Sequence, residues 1–323
     1  MAVLNQGVAM LDKYGATGSA KEDILDLITQ LTPTETPFLS RIGTSRAYNT
    51  YHQWLTDSLT TSGYASGDAL TEGASAENYA LKDVTRYNNN TQIQDRTFTI
   101  SGTEEAMSHY GLDSQYAYQL EKAMKELKIK MEKTLLGGGT GNTGAGSDVS
   151  ARMLRGAMWF TMSAGGATAS GAASVSALTE SIYNNICQDI YTNGGNPDTT
   201  IVNGFNKRRI SAFASNNSRF LDMKNNKKLT GVISVYESDF GTQEIVLDRH
   251  MSGVNKAITT LGTDLGAGLI CEISKFKIAY LRKPFVTPMG IDGDRKQTQI
   301  LTEYTLESLA PIQQGVLSAF ATA

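Results

Sequence analysis

Gly139, Gly141 and Gly144 stand at G-x-G-x-x-G spacing, the pattern whose glycines let a backbone approach a pyrophosphate at a helix N-terminus. Such a turn follows a strand and has an acidic residue about 20 positions further on. Here the glycines follow a long helical pattern and that acidic residue is missing, so the segment reads as a loop. A nucleotide-binding enzyme using Gly139 to Gly144 is kept as the rival reading from a different functional class. Asp239, Phe240 and Gly241 spell the magnesium-binding tripeptide of protein kinases, without the catalytic-loop HRD or the Gly-rich strand that such chemistry needs; a turn is expected there. His52, His109 and His250 are the only histidines, and none has a second ligand type at metal-site spacing. Cys187 and Cys271 stand far apart without a CxxC or a histidine beside them, which points to buried free thiols. Asp292 and Asp294 could face a cation, but Gly290 and Gly293 beside them make a solvated turn the better reading. No catalytic, cofactor-binding or metal-ligating residue is assigned, no cofactor is expected, and the chain reads as a non-enzyme.

Lys207, Arg208 and Arg209 form the one cationic cluster without a local explanation. If a helix starts near Asn203 or Asn206, the cations sit at its positive end, where the macrodipole disfavours each by about 0.3–1 kcal/mol. Carboxylates of a neighbouring subunit, bulk solvent and phosphates are the three open ways to compensate them.

Composition narrows the classes further. The 323 residues suffice for about two domains, yet charged residues make up only 19% where about 25% is usual. A polar but weakly charged surface suits a subunit whose faces are covered by neighbours. A formal charge of −3 argues against a dedicated nucleic-acid reader, which needs clustered cations. The N-terminus lacks the basic n-region of a signal peptide, and no run of 18 apolar residues predicts a membrane span.

The elements that must position these residues alternate in type. Ile24, Leu27, Ile28 and Leu31 have helical spacing that Pro33 and Pro37 end, after which an extended arm is expected. From Thr50 to Ile100 the pattern reads as a long hairpin whose polar tip, Gly67 to Asp83, has few large apolar groups. Two strands of roughly 15 residues would reach about 50 Å, beyond the roughly 20 Å radius of a compact chain of this length, so the hairpin either packs on something else or folds back on its own core. Ser101 to Glu104 is a capping box opening a short helix that Gly111 stops. Tyr116, Leu120, Met124, Leu127, Met131 and Leu135 form one stripe of a long helix over 113–136, with Glu121–Lys125 and Glu126–Lys130 as i,i+4 pairs. After a Gly, Ala, Ser and Thr-rich stretch over 137–175, a helix through Leu178 to Ile190 closes at Gly194. A strand Thr199 to Val202, a helix Phe205 to Ala214 and a hairpin turning at Ser238 to Thr242 come next. Phe276 to Leu281 is a strand, and Ile300, Thr302, Tyr304 and Leu306 alternate with Gln299, Glu303 and Glu307 as a half-buried one. The fold class is α+β.

Five blocks then carry a resemblance: KEDILDLITQLTPTETPFLSRIG at 21–43, TYHQWLTDSL at 50–59, ISGTEEAM at 100–107, VNGFNKRRISAF at 202–213, and GDRKQTQILTEYTLE at 293–307 running on into EYTLESL at 303–309. In that order they resemble the major head (major capsid) proteins of tailed bacteriophages. The resemblance implies the Hong Kong 97 type fold: an N-terminal arm at 1–49, an extended loop at 50–100, a peripheral domain at 101–175 with its spine helix at 113–136, an axial domain at 176–275, and return strands at 276–323. It implies assembly through pentamers and hexamers into an icosahedral virion shell in the host cytoplasm, enclosing double-stranded DNA held only by weak non-specific contact. Copies of the chain itself, a portal protein, a separate scaffolding protein and a possible decoration protein are the partners implied, with no membrane. An encapsulin-like bacterial cargo shell is the rival within the same fold. On this reading Tyr64, Tyr79, Lys207, Arg208 and Arg209 are the candidate intersubunit contacts. Lys82 lies near the loop tip, where one relative carries a crosslinking lysine; no crosslink is expected.

Overall fold

The computed structural model describes residues 32–59, 71–73, 75, 83–109, 111–137, 151–170, 178–213, 234–251, 266–290 and 293–320. The helix expected at 21–31, the Gly139 to Gly144 motif, Tyr64, Tyr79, Lys82 and Asp292 lie outside them.

Pro37 does not merely end what precedes it. It opens a short helix, α1 (Pro37–Arg41), because a proline at the first helical position gives up no hydrogen bond that the helix would make. The chain then forms β1 (Gly43–Arg46), which lies parallel to β10 (Phe276–Pro288). The expected long hairpin is shorter at its base: β2 (Tyr51–Thr56) pairs antiparallel with β3 (Thr85–Asn90), from Tyr51↔Asn90 to Thr56↔Thr85. At Thr91 the returning chain leaves its partner, and β4 (Gln92–Ser101) joins another sheet against β11 (Arg295–Ser308). Alternation marks 92–101 as a strand, but the partner is about 200 residues away along the chain, which no local pattern encodes.

Ser101 Oγ accepts the Glu104 N–H at 3.2 Å and starts α2 (Gly102–Ala106), which ends before Gly111. Ser114 Oγ likewise accepts the Ala117 N–H at 3.3 Å and opens α3 (Gln115–Leu136). This 22-residue helix is about 33 Å long. Ala123, Leu127, Met131, Leu135 and Leu136 are its buried apolar residues, whereas Met124 is 42% exposed. The facing therefore differs from the expected stripe: α1, α4 (Ala157–Ser163) and β4 all pack against the helix, and the apolar cluster takes in Leu127, Met131, Leu135 and Leu136 but not Met124. Of the two expected ion pairs, Glu121–Lys125 forms at 2.6 Å. Glu126 turns instead to Arg96 of β4 at 2.5 Å, and Lys130 Nζ donates to the Asp95 carbonyl at 3.1 Å, so the polar side of α3 is spent fastening β4. Gly156 and Gly137 allow α4 to start against the end of α3: a Cβ on Gly156 would sit 2.2 Å from the Gly137 carbonyl oxygen.

β5 (Ala167–Ser170) leads to α5 (Glu180–Thr192), capped by Thr179 and closed at Gly194 with φ 81°. β6 (Thr199–Val202) follows, then α6 (Gly204–Phe213), where Asn203 Oδ1 accepts the Asn206 N–H at 3.0 Å. β7 (Val235–Ser238) and β8 (Gly241–Leu247) pair with Ser238 opposite Gly241; Asp239 and Phe240 are the two turn residues between them. β9 (Gly266–Cys271) and β12 (Gly315–Phe320) complete the set. Among the described residues the strands form a four-stranded sheet in the order β1-β10-β11-β4, a six-stranded sheet β5-β12-β9-β6-β8-β7, and the β2-β3 ribbon. One apolar cluster unites α1, α3 and α4 with both sheets around Phe276, Tyr304 and Leu269; a second packs α5 and α6 on the six-stranded sheet around Tyr183 and Ile270. Cys187 and Cys271 are buried free thiols.

Candidate assembly interface

The β2–β3 ribbon has two different faces, and period-two alternation sets them. Trp54 points inward, with its indole N–H donating to the Ser308 carbonyl at 2.8 Å and its ring 5.6 Å from that of Phe160 at 60°. On the same face His52 Nε2 lies 2.7 Å from Glu307, which also accepts the Ser45 hydroxyl at 2.6 Å. Glu307 is itself buried; burial alone would raise its pKa, but the His52 and Ser45 hydrogen bonds, with the positive field of His52 and Lys277, hold it below the ordinary carboxylate value. The outward face carries Tyr51 and Leu55, and Tyr48 and Leu59 flank it at 81% and 88% exposure. A ribbon root fixed by an indole and a buried carboxylate thus presents, among the described residues, an exposed apolar strip.

A second fastening sits at the ribbon's exit. Glu303 on β11, 3% exposed, pairs with Arg152 at 2.7 Å and with Arg282 at 2.9 Å, and accepts the Thr91 hydroxyl at 2.9 Å. It ties the break between β3 and β4 to the segment before α4 and to the irregular stretch of β10 between Tyr280 and Phe285. The expected half-buried β11 is buried on both faces in its second half, with Glu303 and Glu307 enclosed. Alternation assigned these carboxylates to the wet side; what covers that side comes from β2, Arg152 and Arg282, all distant in sequence.

The cationic cluster of α6 divides. Lys207 turns into its own chain: its ammonium donates to the Ile245 carbonyl at 3.0 Å, burial pulls its pKa down, and Glu244 on β8 opposes that shift. The Ile245 carbonyl and the field of Glu244 thus meet part of its charge within the chain. Arg209 lies over the Phe205 ring with 5.2 Å to the centroid, and Arg208 is exposed. Asp294 stands beside α2, its backbone carbonyl accepting the Gly102 N–H at 3.2 Å. Among the described residues no three His, Cys, Asp or Glu side chains gather as metal ligands, and no helix is long and apolar enough to cross a membrane.

The ribbon thus has a fastened root and, among the described residues, an exposed apolar strip, and comparison with known proteins decides the family. Residues 9–320 match the model of the SU10 major capsid protein family. The chain belongs to that family. Within curated proteins, the major capsid protein of Escherichia phage Phieco32 is 36% identical over 111 residues, covering 34% of this chain and 31% of that protein; the match thus spans about a third of that relative's length. Two solved structures share the fold: one from Gordonia phage Cozz, at TM-score 0.62 and 12% identity over 98% of each chain, and the holo-SrpI encapsulin complex of Synechococcus elongatus PCC 7942, at TM-score 0.57 and 10% identity over 94% of each chain. The α+β architecture is therefore of the Hong Kong 97 type. In this family member the resemblance read from five sequence blocks extends across nearly the whole chain.

Proposed function

We propose that this chain is the major capsid protein of a tailed bacteriophage, assembling through pentamers and hexamers into the icosahedral head around double-stranded DNA. The observation that carries the reading is the β2–β3 ribbon. Its inner face is locked to β11 while Tyr51 and Leu55 face outward, as a lever would that must hold its direction while covering a neighbouring copy. Charge supports the same contact. The chain between β2 and β3 contains Asp57, Asp68, Glu72, Glu77 and Asp83 against Lys82 alone, and α3 presents Lys122, Lys128 and Lys133 to solvent, so opposite signs meet if the loop crosses a neighbour's α3. Tyr64 and Tyr79 in that loop, with the exposed Arg208 and Arg209, are the proposed intersubunit contacts. The peripheral and axial domains, with the boundaries given above, are proposed to divide the work between stiff wall and capsomer centre. A portal protein, a separate scaffolding protein, a possible decoration protein and weakly held DNA are the further partners, and assembly takes place in the host cytoplasm. No enzymatic activity is assigned.

Likeness to an encapsulin makes a cargo shell the second reading. Negative-stain microscopy and sedimentation of the protein, expressed alone and with a neighbouring scaffolding gene, test the first. Capsomers or closed shells are expected, with nuclease-protected DNA in particles from infected cells. A strictly monomeric protein under all these conditions overturns the proposal, and shells holding a protein cargo instead of DNA establish the second reading.

A further inference from the structure

Glu132 projects from α3 toward α1 and is fully buried. Thr36, at the capping position of α1, makes no side-chain cap. The cap comes from Glu132 instead: Oε1 accepts the Phe38 N–H and Oε2 the Leu39 N–H, both at 2.7 Å. A second carboxyl, Asp248 at the end of β8, is 1% exposed and lies within hydrogen-bonding reach of Glu132. Asp248 Oδ1 accepts the His250 N–H at 2.8 Å, whereas its buried Oδ2 finds no donor among the described residues unless Glu132 carries a proton. Two ionised carboxylates cannot share such a site without strong repulsion; one proton between them removes the repulsion and gives the orphaned oxygen its donor.

Among the charged groups around the pair, His250 acts on Asp248 and favours its ionised form. His250, on the 3₁₀ turn Arg249–Met251, faces Asp248 with its ring Nε2 buried and unpartnered among the described residues. Arg249 on that turn is exposed. Arg41 of α1 is engaged by Glu244 at 2.6 Å. Along α3, Lys128 and Lys133 are exposed.

We propose that Glu132 and Asp248 form a proton-operated latch that sets how firmly α1 is held on α3. In the closed state Glu132 donates its proton to Asp248 and caps α1; in the loosened state both carboxyls are ionised and repel. Phe38 keeps α1 in place in either state, buried edge-on to Phe276 with ring centroids 5.7 Å apart, so the latch adjusts a joint that the core retains. Burial raises the Glu132 carboxyl to about 7 from an ordinary 4.5, against the pull of its two backbone donors and with the help of the Asp248 charge; burial raises Asp248 as well. A carboxyl that binds its proton more tightly when docked contributes its full stabilisation below pH 4.5 and loses it as the pH rises through about 7. A rise in pH from acid to neutral is therefore the releasing condition. This inference concerns the folded chain and stands independently of the shell assignment.

Hydrogen–deuterium exchange of the full-length protein, read on peptides spanning 36–42 and corrected for the intrinsic pH dependence of exchange, tests it. Protection is expected to be level below about pH 4.5, to fall by up to about tenfold per pH unit from there to about pH 7 and to level off above it, while peptides within α5 stay level. In Glu132→Gln, whose amide both accepts from α1 and donates to Asp248, protection should stay level up to pH 8.5. In Asp248→Asn the repelling charge is gone, and the midpoint should move to lower pH. A level wild-type profile, a Glu132→Gln profile identical to wild type, or an unmoved midpoint in Asp248→Asn overturns the latch.

Discussion

Glu303 collects two arginines and a threonine hydroxyl at one carboxylate, and through them three distant segments. Removing one partner of an enclosed ion cluster leaves the others without compensation, so Glu303→Ala is expected to cost about 3 kcal/mol of subunit stability, read as a lower urea midpoint with unchanged slope. Glu307 gives a prediction in pH. Its folded-state value lies below the ordinary 4.5, so its contribution is present above that value and is lost as acid protonates it. The fall in thermal midpoint between pH 5 and pH 3 should be shallower in Glu307→Gln than in wild type. Equal slopes would mean that the His52–Glu307 contact does nothing for the ribbon root.

At the scale of elements, α3 is the part that the rest of the fold is measured against, and its facing can be tested by a pair of substitutions. Leu127 is 3% exposed and Met124 42% exposed. Leu127→Asp places a carboxylate among apolar groups and should cost several kcal/mol, abolishing soluble subunit. Met124→Lys should stay within about 0.5 kcal/mol of wild type. Equal effects of the two on soluble yield would show that the helix is rotated. The junction of α3 with α4 depends on a missing side chain: the backbone of Gly137 occupies the space where a Cβ of Gly156 would go. Gly156→Ala should therefore force the helices apart and destabilise by about 1–3 kcal/mol, measured by denaturation of the unassembled subunit.

For the whole molecule the question is whether stability of the subunit and stability of the assembly can be separated. Leu55 is 62% exposed, and the proposed contact is with a neighbouring copy. Leu55→Ser should leave the subunit's denaturation within about 0.5 kcal/mol of wild type and raise the concentration at which capsomers form, read by analytical ultracentrifugation. Proteolysis within 67–83 should be slower in shells than in free subunits. Unchanged assembly by Leu55→Ser together with equal cleavage would remove the ribbon from the interface.

Much of the organisation is legible in the amino-acid order, because it depends on neighbours in the chain. Ser101, Thr179 and Asn203 cap helices within three residues of themselves, Thr199–Val202 is a strand, and Gly194 takes the positive φ that closes α5. The five ordered blocks likewise indicate the family. What required the tertiary structure is every decision made by a partner far along the chain. Gln92–Ser101 deserts its hairpin for β11, Met124 turns to solvent, Lys207 finds the Ile245 carbonyl, and Glu132, Glu303 and Glu307 go inside. A local pattern reports which side of an element is more apolar. Whether the other side is wet depends on which distant element packs over it, and an ionisable group is buried only where that element brings donors to meet it.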